Sequence, residues 1–235
     1  MILSIDIKLQ RLIEDLYGDR RGALVAMNPQ TGEILAFVSK PTFDSNLFVE
    51  GIQQGDWASL NESPDRPLLN RALRGTYPPG STYKPFMALA ALETGARTAD
   101  TLINDPGYYM YGGHRFGSPE NERGGVMDMH RAIVESSNAY FYSLAYEMGV
   151  ESIHDFMKPL GLGQITGIDI QGEVRGVLPN REWKRNYYRN HRNPDQRKWY
   201  AGETISLGIG QGYNSFTMLQ MAQATATLLT AGIQR

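Results

Sequence analysis

Pro78-Pro79-Gly80-Ser81-Thr82-Tyr83-Lys84-Pro85 is the stretch on which the fold turns. Apolar residues follow at Phe86, Met87, Leu89, Ala90 and Leu92, which predicts a helix from Ser81 to Thr94 with those side chains as its buried stripe. Pro85 falls in the first turns, where a missing N–H costs little. Ser81 and Lys84 are three apart, so both side chains lie on one face within reach of each other. A serine hydroxyl is a poor nucleophile until a neighbouring base takes its proton. Lysine can be that base where partial burial and positive dipoles lower its pKa. The helix start also offers a free backbone N–H to a developing oxyanion. Alone, Ser-x-x-Lys is equally the pattern of a capped helix with an exposed lysine. The Pro-Pro-Gly lead-in and the apolar helix place this serine at a tight turn.

Two further elements carry possible chemistry. Glu135-Ser136-Ser137-Asn138-Ala139-Tyr140 reads most simply as a helix-capping turn. Its serine has the chemistry to relay a proton between the lysine and a leaving amine. Its asparagine can bond both the lysine and a substrate amide. Leu207-Gly208-Ile209-Gly210-Gln211-Gly212-Tyr213 is a glycine-rich turn before the last helix, a place where an anion could be cradled. No strand-to-helix nucleotide fingerprint accompanies it.

Working outward, residues 5 to 17 have helical spacing at Leu9, Leu12, Ile13 and Leu16, with Asp6 as N-cap and Gly18 as stop. Two apolar runs, 23 to 27 and 33 to 38, flank Asn28-Pro29-Gln30-Thr31-Gly32 and read as a hairpin with both faces covered. Residues 39 to 80 form a long connection with short helical pieces. Residues 104 to 127 are a polar excursion rather than core. Helices are expected at 128 to 135, 139 to 148, 151 to 159 and 216 to 230. The basic, aromatic stretch 184 to 203 reads as a solvated surface loop.

The chain has 235 residues, 41% hydrophobic and 20% charged, the composition of a globular domain. A net charge of −2 without long like-charge runs argues against nucleic acid as a partner. With no cysteine, a disulfide scaffold, a thiolate nucleophile and a cysteine zinc site are excluded. No apolar run reaches the roughly 18 to 20 residues that span a bilayer, and no signal peptide is visible.

The order and spacing of these elements closely resemble class B penicillin-binding proteins of the elongation type, over essentially the whole chain. The likeness runs through Ser4-Ile5-Asp6, Asn28-Pro29-x-Thr31-Gly32, Asn46-Leu47-Phe48-Val49, Asn70-Arg71-Ala72, Tyr77 to Thr82, Asp105-Pro106-Gly107, Thr166-Gly167-Ile168-Asp169, Arg181-Glu182-Trp183-Lys184 and Gly208 to Tyr213. The resemblance implies an α/β (α+β) penicillin-recognising serine transpeptidase or β-lactamase-like fold. That fold has an antiparallel sheet with helices on both faces, an all-helical lobe, and an active site between sheet edge and lobe. It implies that Ser81 is the acylated nucleophile and Lys84 its general base. Ser136 is then the proton shuttle, and Asn138 orients substrate and lysine.

The substrates implied are peptidoglycan stem peptides ending in D-Ala-D-Ala, and β-lactams that mimic them. The partners implied are a membrane glycosyltransferase and rod-shape morphogenesis proteins. The location implied is the periplasmic face of the bacterial inner membrane, by way of an N-terminal anchor outside residues 1 to 235. The same scaffold also serves hydrolytic β-lactamases, D,D-carboxypeptidases and non-catalytic β-lactam sensors.

The family's third motif, Lys-Ser/Thr-Gly, does not occur in the chain. Residues 1 to 235 are therefore expected to be a partial transpeptidase domain with an incomplete sheet, a long unpaired strand edge, an exposed apolar face and severely reduced catalysis. The scheme requires no cofactor. Some relatives are thought to hold zinc near the 104 to 127 excursion. Asp105, His114, Asp128 and His130 are the candidate ligands here, against the plainer reading of polar surface residues.

Overall fold

The computed structural model describes residues 3–117 and 124–232. In chain order the elements begin with α1 (Ile7–Tyr17), β1 (Gly22–Met27), β2 (Ile34–Lys40), α2 (Gln54–Glu62), α3 (Arg71–Arg74), β3 (Thr76–Tyr77) and α4 (Lys84–Thr94). There follow β4 (Ile103–Asp105), β5 (Tyr109–Tyr111), β6 (His114–Phe116), β7 (Gly125–Met127), α5 (Met129–Val134) and α6 (Asn138–Met157). The last are α7 (Arg181–Tyr187), α8 (Ala201–Leu207), β8 (Phe216–Thr217) and α9 (Met218–Leu229). The chain divides into a sheet unit, Met1–Tyr77 with Leu160–Gly176 and Phe216–Arg235, and a helical unit, Pro78–Pro159 with Val177–Ser215.

The sheet unit is built on the antiparallel pair β1–β2. Leu24 lies opposite Val38 and Ala26 opposite Ala36, so these four side chains share one face. Ile13, Leu9 and Tyr17 of α1 pack onto that face. Asp6 starts α1 by accepting from the amides of Lys8 and Leu9, and Gly18 ends it at φ 53°. α9 packs against β1, and α3 against both strands. A reciprocal Thr217–Gln220 cap starts α9. The Gln220 amide also donates to the carbonyls of Gln164 and Arg175, tying the 160–176 segment to that helix.

The open edge expected of an incomplete sheet lies on β1; the outer edge of β2 is bonded by α1 and its cap. Asp6 N–H donates to Leu35 O at 2.9 Å. The Gln10 side chain accepts from Phe37 N–H at 2.9 Å and donates to Phe37 O at 3.2 Å, bonding as a neighbouring strand would. On β1, Tyr17 OH donates to Ala23 O at 2.8 Å, and no strand adds to its outer edge among the described residues.

The helical unit centres on α4, which packs against α6, and α6 in turn packs against α8. α4 buries Phe86, Met87, Ala88, Ala90 and Ala91. Leu92, expected in the stripe, is 45% exposed, because small alanines let the buried face run along 87, 88, 90 and 91. α6 is broken at Gly149 (φ 75°, ψ 158°), so the two helices expected on either side of that glycine are both present.

Two expectations need correction. The 104–127 excursion, of which 118–123 lie outside the described residues, contributes to the interior: Asp105 and Met127 are buried. Its Tyr111 and Phe116 rings lie 5.1 Å from Tyr146 and 5.7 Å from Tyr142. The 184–203 stretch is exposed along most of its length, as expected, but it is not all loop and not all solvated. It holds most of α7 and the start of α8, and Lys184 is only 2% exposed.

Candidate active site

The Ser81 turn is set by its neighbours. Gly80 has φ +58°, a conformation L side chains rarely adopt. Its N–H donates to Gly210 O at 3.1 Å. Thr82 Oγ1 donates to Pro79 O at 2.7 Å, closing the turn from within. Gly80–Tyr83 is a single 3-10 turn that runs into α4, and the N–H of Lys84 donates to Ser81 O. Ser81 itself is exposed. The Tyr83 ring between them is fully buried, and that burial pushes its phenol well above the usual tyrosine range.

Lys84 is 2% exposed. Its ammonium donates to Ser136 O at 2.5 Å, Ser136 Oγ at 3.0 Å and Asn138 Oδ1 at 2.8 Å. The structure thus brings three of the four expected residues into one hydrogen-bonded cluster. The fourth, Ser81, stands one turn before Lys84. In chemical terms the cluster is an amine next to a hydroxyl that can both accept and donate, with a solvent-facing serine one turn away.

Ser136 reaches the lysine with both its carbonyl and its hydroxyl because its backbone is left-handed, φ 54°. For a residue other than glycine this costs on the order of 1–3 kcal/mol and must be held by its surroundings. Ser136 N–H donates to Ile133 O at 3.1 Å and Ser137 N–H to Ala132 O at 2.9 Å. Ser137 Oγ accepts from Tyr140 N–H at 3.0 Å, capping α6, and donates to the Asp105 carboxylate. Asp105, 3% exposed, also accepts from Gly107 N–H at 2.6 Å.

The four candidate metal ligands do not gather, and they do not fit a zinc ion. Asp105 is taken up by Ser137 and Gly107. Asp128 caps α5 by accepting from Arg131 N–H at 2.7 Å. His114 packs edge-on to Phe116 at 4.8 Å, and His130 is exposed. Among the described residues no group of three or more His, Cys, Asp or Glu converges.

The glycine-rich turn serves close packing rather than an anion. A Cβ on Gly208 would lie 2.2 Å from Phe141 O, and one on Gly210, φ +68°, would lie 2.4 Å from Gly80 O. Only glycines let the chain pass between α6, which carries Asn138, and the turn that carries Ser81. Sequence reasoning missed Asp105 as a support of the 136–138 turn, and it missed Lys184 with Glu203. Their partners are 32 and 19 residues away. The one available signal for the second pair was the aromatic density of Trp183, Trp199, Tyr200 and Tyr213 around Glu203.

Comparison with known proteins agrees with this geometry. The family described as penicillin binding protein transpeptidase domain matches residues 22–235. The peptidoglycan D,D-transpeptidase MrdA of Acinetobacter baumannii is 44% identical over 234 residues, 99% of this chain and 34% of that protein. The crystal structure of Pseudomonas aeruginosa PBP2 in complex with WCK 5153 is 47% identical, with a TM-score of 0.89 over 97% of this chain and 51% of that one. Helicobacter pylori PBP2, in a complex with MreC, is 33% identical, with a TM-score of 0.89 over 97% of this chain and 41% of that one. The chain spans about a third of the length of the curated relative it matches. With the Ser81–Lys84 spacing and the Lys84–Ser136–Asn138 cluster inside the matched residues, the chain belongs to the penicillin-binding protein transpeptidase domain family.

Proposed function

We propose that the protein carrying this chain is a peptidoglycan D,D-transpeptidase of cell elongation that works through an acyl-enzyme on Ser81. The observation that supports it most is the bonding of the buried Lys84 ammonium to Ser136 Oγ and Asn138 Oδ1, one turn after an exposed serine. In its neutral form Lys84 takes the Ser81 proton as Ser81 Oγ attacks the carbonyl of the D-Ala-D-Ala peptide bond. The Ser81 N–H bonds the oxyanion. The C–N bond then breaks. The proton returns through Ser136 to the departing D-Ala amine, leaving the stem peptide esterified to Ser81. An amine from a neighbouring stem attacks the ester, gives up its proton by the same route and releases Ser81. Asn138 holds both lysine and substrate amide. A β-lactam enters the first half of this cycle and stops there.

The Lys-Ser/Thr-Gly strand of the family supplies a second oxyanion N–H and a dock for the substrate carboxylate. It does not occur in residues 1–235, so these residues alone are expected to acylate poorly. We further propose that rod-shape proteins and a membrane glycosyltransferase are partners of the whole protein, which faces the periplasm from the inner membrane. A complex with MreC is known for the Helicobacter pylori relative. Among the described residues no helix is long and apolar enough to cross a membrane.

Intact mass after incubation with benzylpenicillin tests the nucleophile. In the complete protein one adduct per chain is expected, with none on Ser81→Ala. The isolated residues 1–235 should label far more slowly. An adduct of equal yield on Ser81→Ala would remove Ser81 from the scheme.

A further inference from the structure

Lys184 is as buried as Lys84, and the acyl-transfer scheme makes no use of it. Its ammonium pairs with the Glu203 carboxylate and lies 5.3 Å from the Tyr200 ring, 5.8 Å from Tyr213 and 5.9 Å from Trp199. A cation enclosed by three aromatic faces is held by their quadrupoles as well as by its counter-ion. Glu203 Oε1 also accepts from Tyr213 OH at 2.9 Å, and Oε2 from Tyr200 N–H at 2.9 Å. Trp183 and Trp199 close around Tyr213 at 5.1 and 5.9 Å, and Trp199 Nε1 donates to Thr204 Oγ1 at 2.9 Å. Burial and the Glu203 bond both push the Tyr213 phenol upward, so it remains a hydrogen-bond donor near neutral pH.

This cluster staples two points on either side of the glycine-rich turn. Glu203 lies in the first turn of α8, before the glycines, and Tyr213 directly after them. Between them Gly210 N–H donates to Leu207 O at 3.0 Å, Gln211 N–H to Ser206 O at 3.1 Å and Asn214 Nδ2 to Leu207 O at 3.2 Å. The stapled turn meets α6 at Gly208 and accepts the Gly80 N–H on Gly210 O. A buried ion pair adds little net stability, since desolvation offsets its Coulomb attraction. Its consequence here is geometric.

We infer that Lys184 and Glu203 are positioning residues for the nucleophile: their caged ion pair fixes the Gly208–Gly212 turn, whose Gly210 carbonyl fixes Gly80 and through it Ser81. This rests on Ser81 being the acylated residue.

The test uses the complete protein and benzylpenicillin, with acylation followed at several drug concentrations so that the limiting rate separates from the half-saturating concentration. Lys184→Met combined with Glu203→Gln removes both charges together and leaves no lone buried ion. The limiting acylation rate should fall about tenfold, as expected for a slightly misplaced nucleophile. The half-saturating concentration and the melting temperature should barely move. Lys184→Arg, which keeps a cation for the carboxylate and the rings, should recover most of the rate. A folded double variant acylating at the wild-type rate overturns the inference and leaves the Ser81 assignment standing. A wild-type protein that takes up no penicillin overturns both. If the double variant does not fold, Tyr213→Phe decides. It deletes the hydrogen bond to Glu203 and no charge, so a rate loss of about threefold supports the staple and an unchanged rate sinks it.

Discussion

The sheet unit and the helical unit differ in how much charge they bury. In the sheet unit the interior is apolar area: Ile13 with Leu9 and Tyr17 covers the Leu24, Ala26, Ala36 and Val38 face of the hairpin. Its buried polar side chains bond mostly to backbone, as Arg71 does to the carbonyls of Asp65 and Arg66 and Gln220 to those of Gln164 and Arg175. The helical unit buries more charge: four charged side chains among the described residues, against Arg71 in the sheet unit. Lys84, Lys184, Arg97 and Asp105 are all at most 4% exposed; Lys84, Arg97 and Asp105 each make two or more side-chain hydrogen bonds, and Lys184 pairs with Glu203. Arg97 pairs with both carboxylate oxygens of Glu147, at 2.6 and 2.8 Å, and its guanidinium lies 4.5 Å from the Tyr140 ring. Area is tolerant of small shifts. A buried polar network penalises every arrangement in which a bond goes unmade. In the helical unit such a network holds Lys84, Ser136 and Asn138 together.

The comparison breaks first at Ile13. Ile13→Ala removes the centre of the α1 contact and should cost roughly 2–5 kcal/mol in urea unfolding of the complete protein. Below the transition the penicillin acylation rate of the folded protein should be unchanged. A rate that falls in step with stability would show that the units do not divide the labour in this way. Gly210→Ala is the converse. An added Cβ sits 2.4 Å from Gly80 O in a left-handed backbone, so the turn must move. Acylation is expected to fall about a hundredfold, the scale of an ångström-sized misplacement. Near-normal acylation would mean that the turn yields without carrying Gly80 with it.

What was legible in the sequence was local. Ser81 and Lys84 are readable because three residues on a helix fix a neighbourhood. The α1 caps and the β1–β2 hairpin are readable because Asp6, Gly18 and the Pro29–Gly32 turn each act within a few residues. Ser136 and Asn138 were placed only through family likeness, since nothing local reveals that a left-handed serine turns its carbonyl toward a lysine 52 residues away. Lys184 was misread for the same reason. Among Arg185, Arg189 and Arg192 it looks like one more solvated cation, and its partner Glu203 comes only at the far end of the stretch. The candidate zinc ligands failed from the other side. Asp105 and Asp128 are of ligand type but not of ligand spacing, and a carboxylate is equally suited to backbone amides and hydroxyls, which take both of them. The glycines at 208 and 210 signalled a close approach, but whether to an anion or to backbone depended on α6 and Gly80, which are distant in sequence.

The smallest effect is the most local test of how the sheet unit ends. Gln10 gives β2 the donor and acceptor of a missing neighbour at one residue, Phe37, while its amide also donates to Glu14 at 2.7 Å. Because Phe37 N–H and C=O stand at an edge where water can replace the lost partner, Gln10→Ala should cost only about 1 kcal/mol. Amide exchange should nevertheless quicken at Phe37 while Val38, one residue on, keeps its protection within the β1–β2 pair. An edge freed in this way is also a template for another chain, so the variant should self-associate at lower concentration than the parent. Unchanged exchange at Phe37 would mean that the strand is shielded by the body of α1, and that the glutamine amide contributes nothing as a surrogate strand.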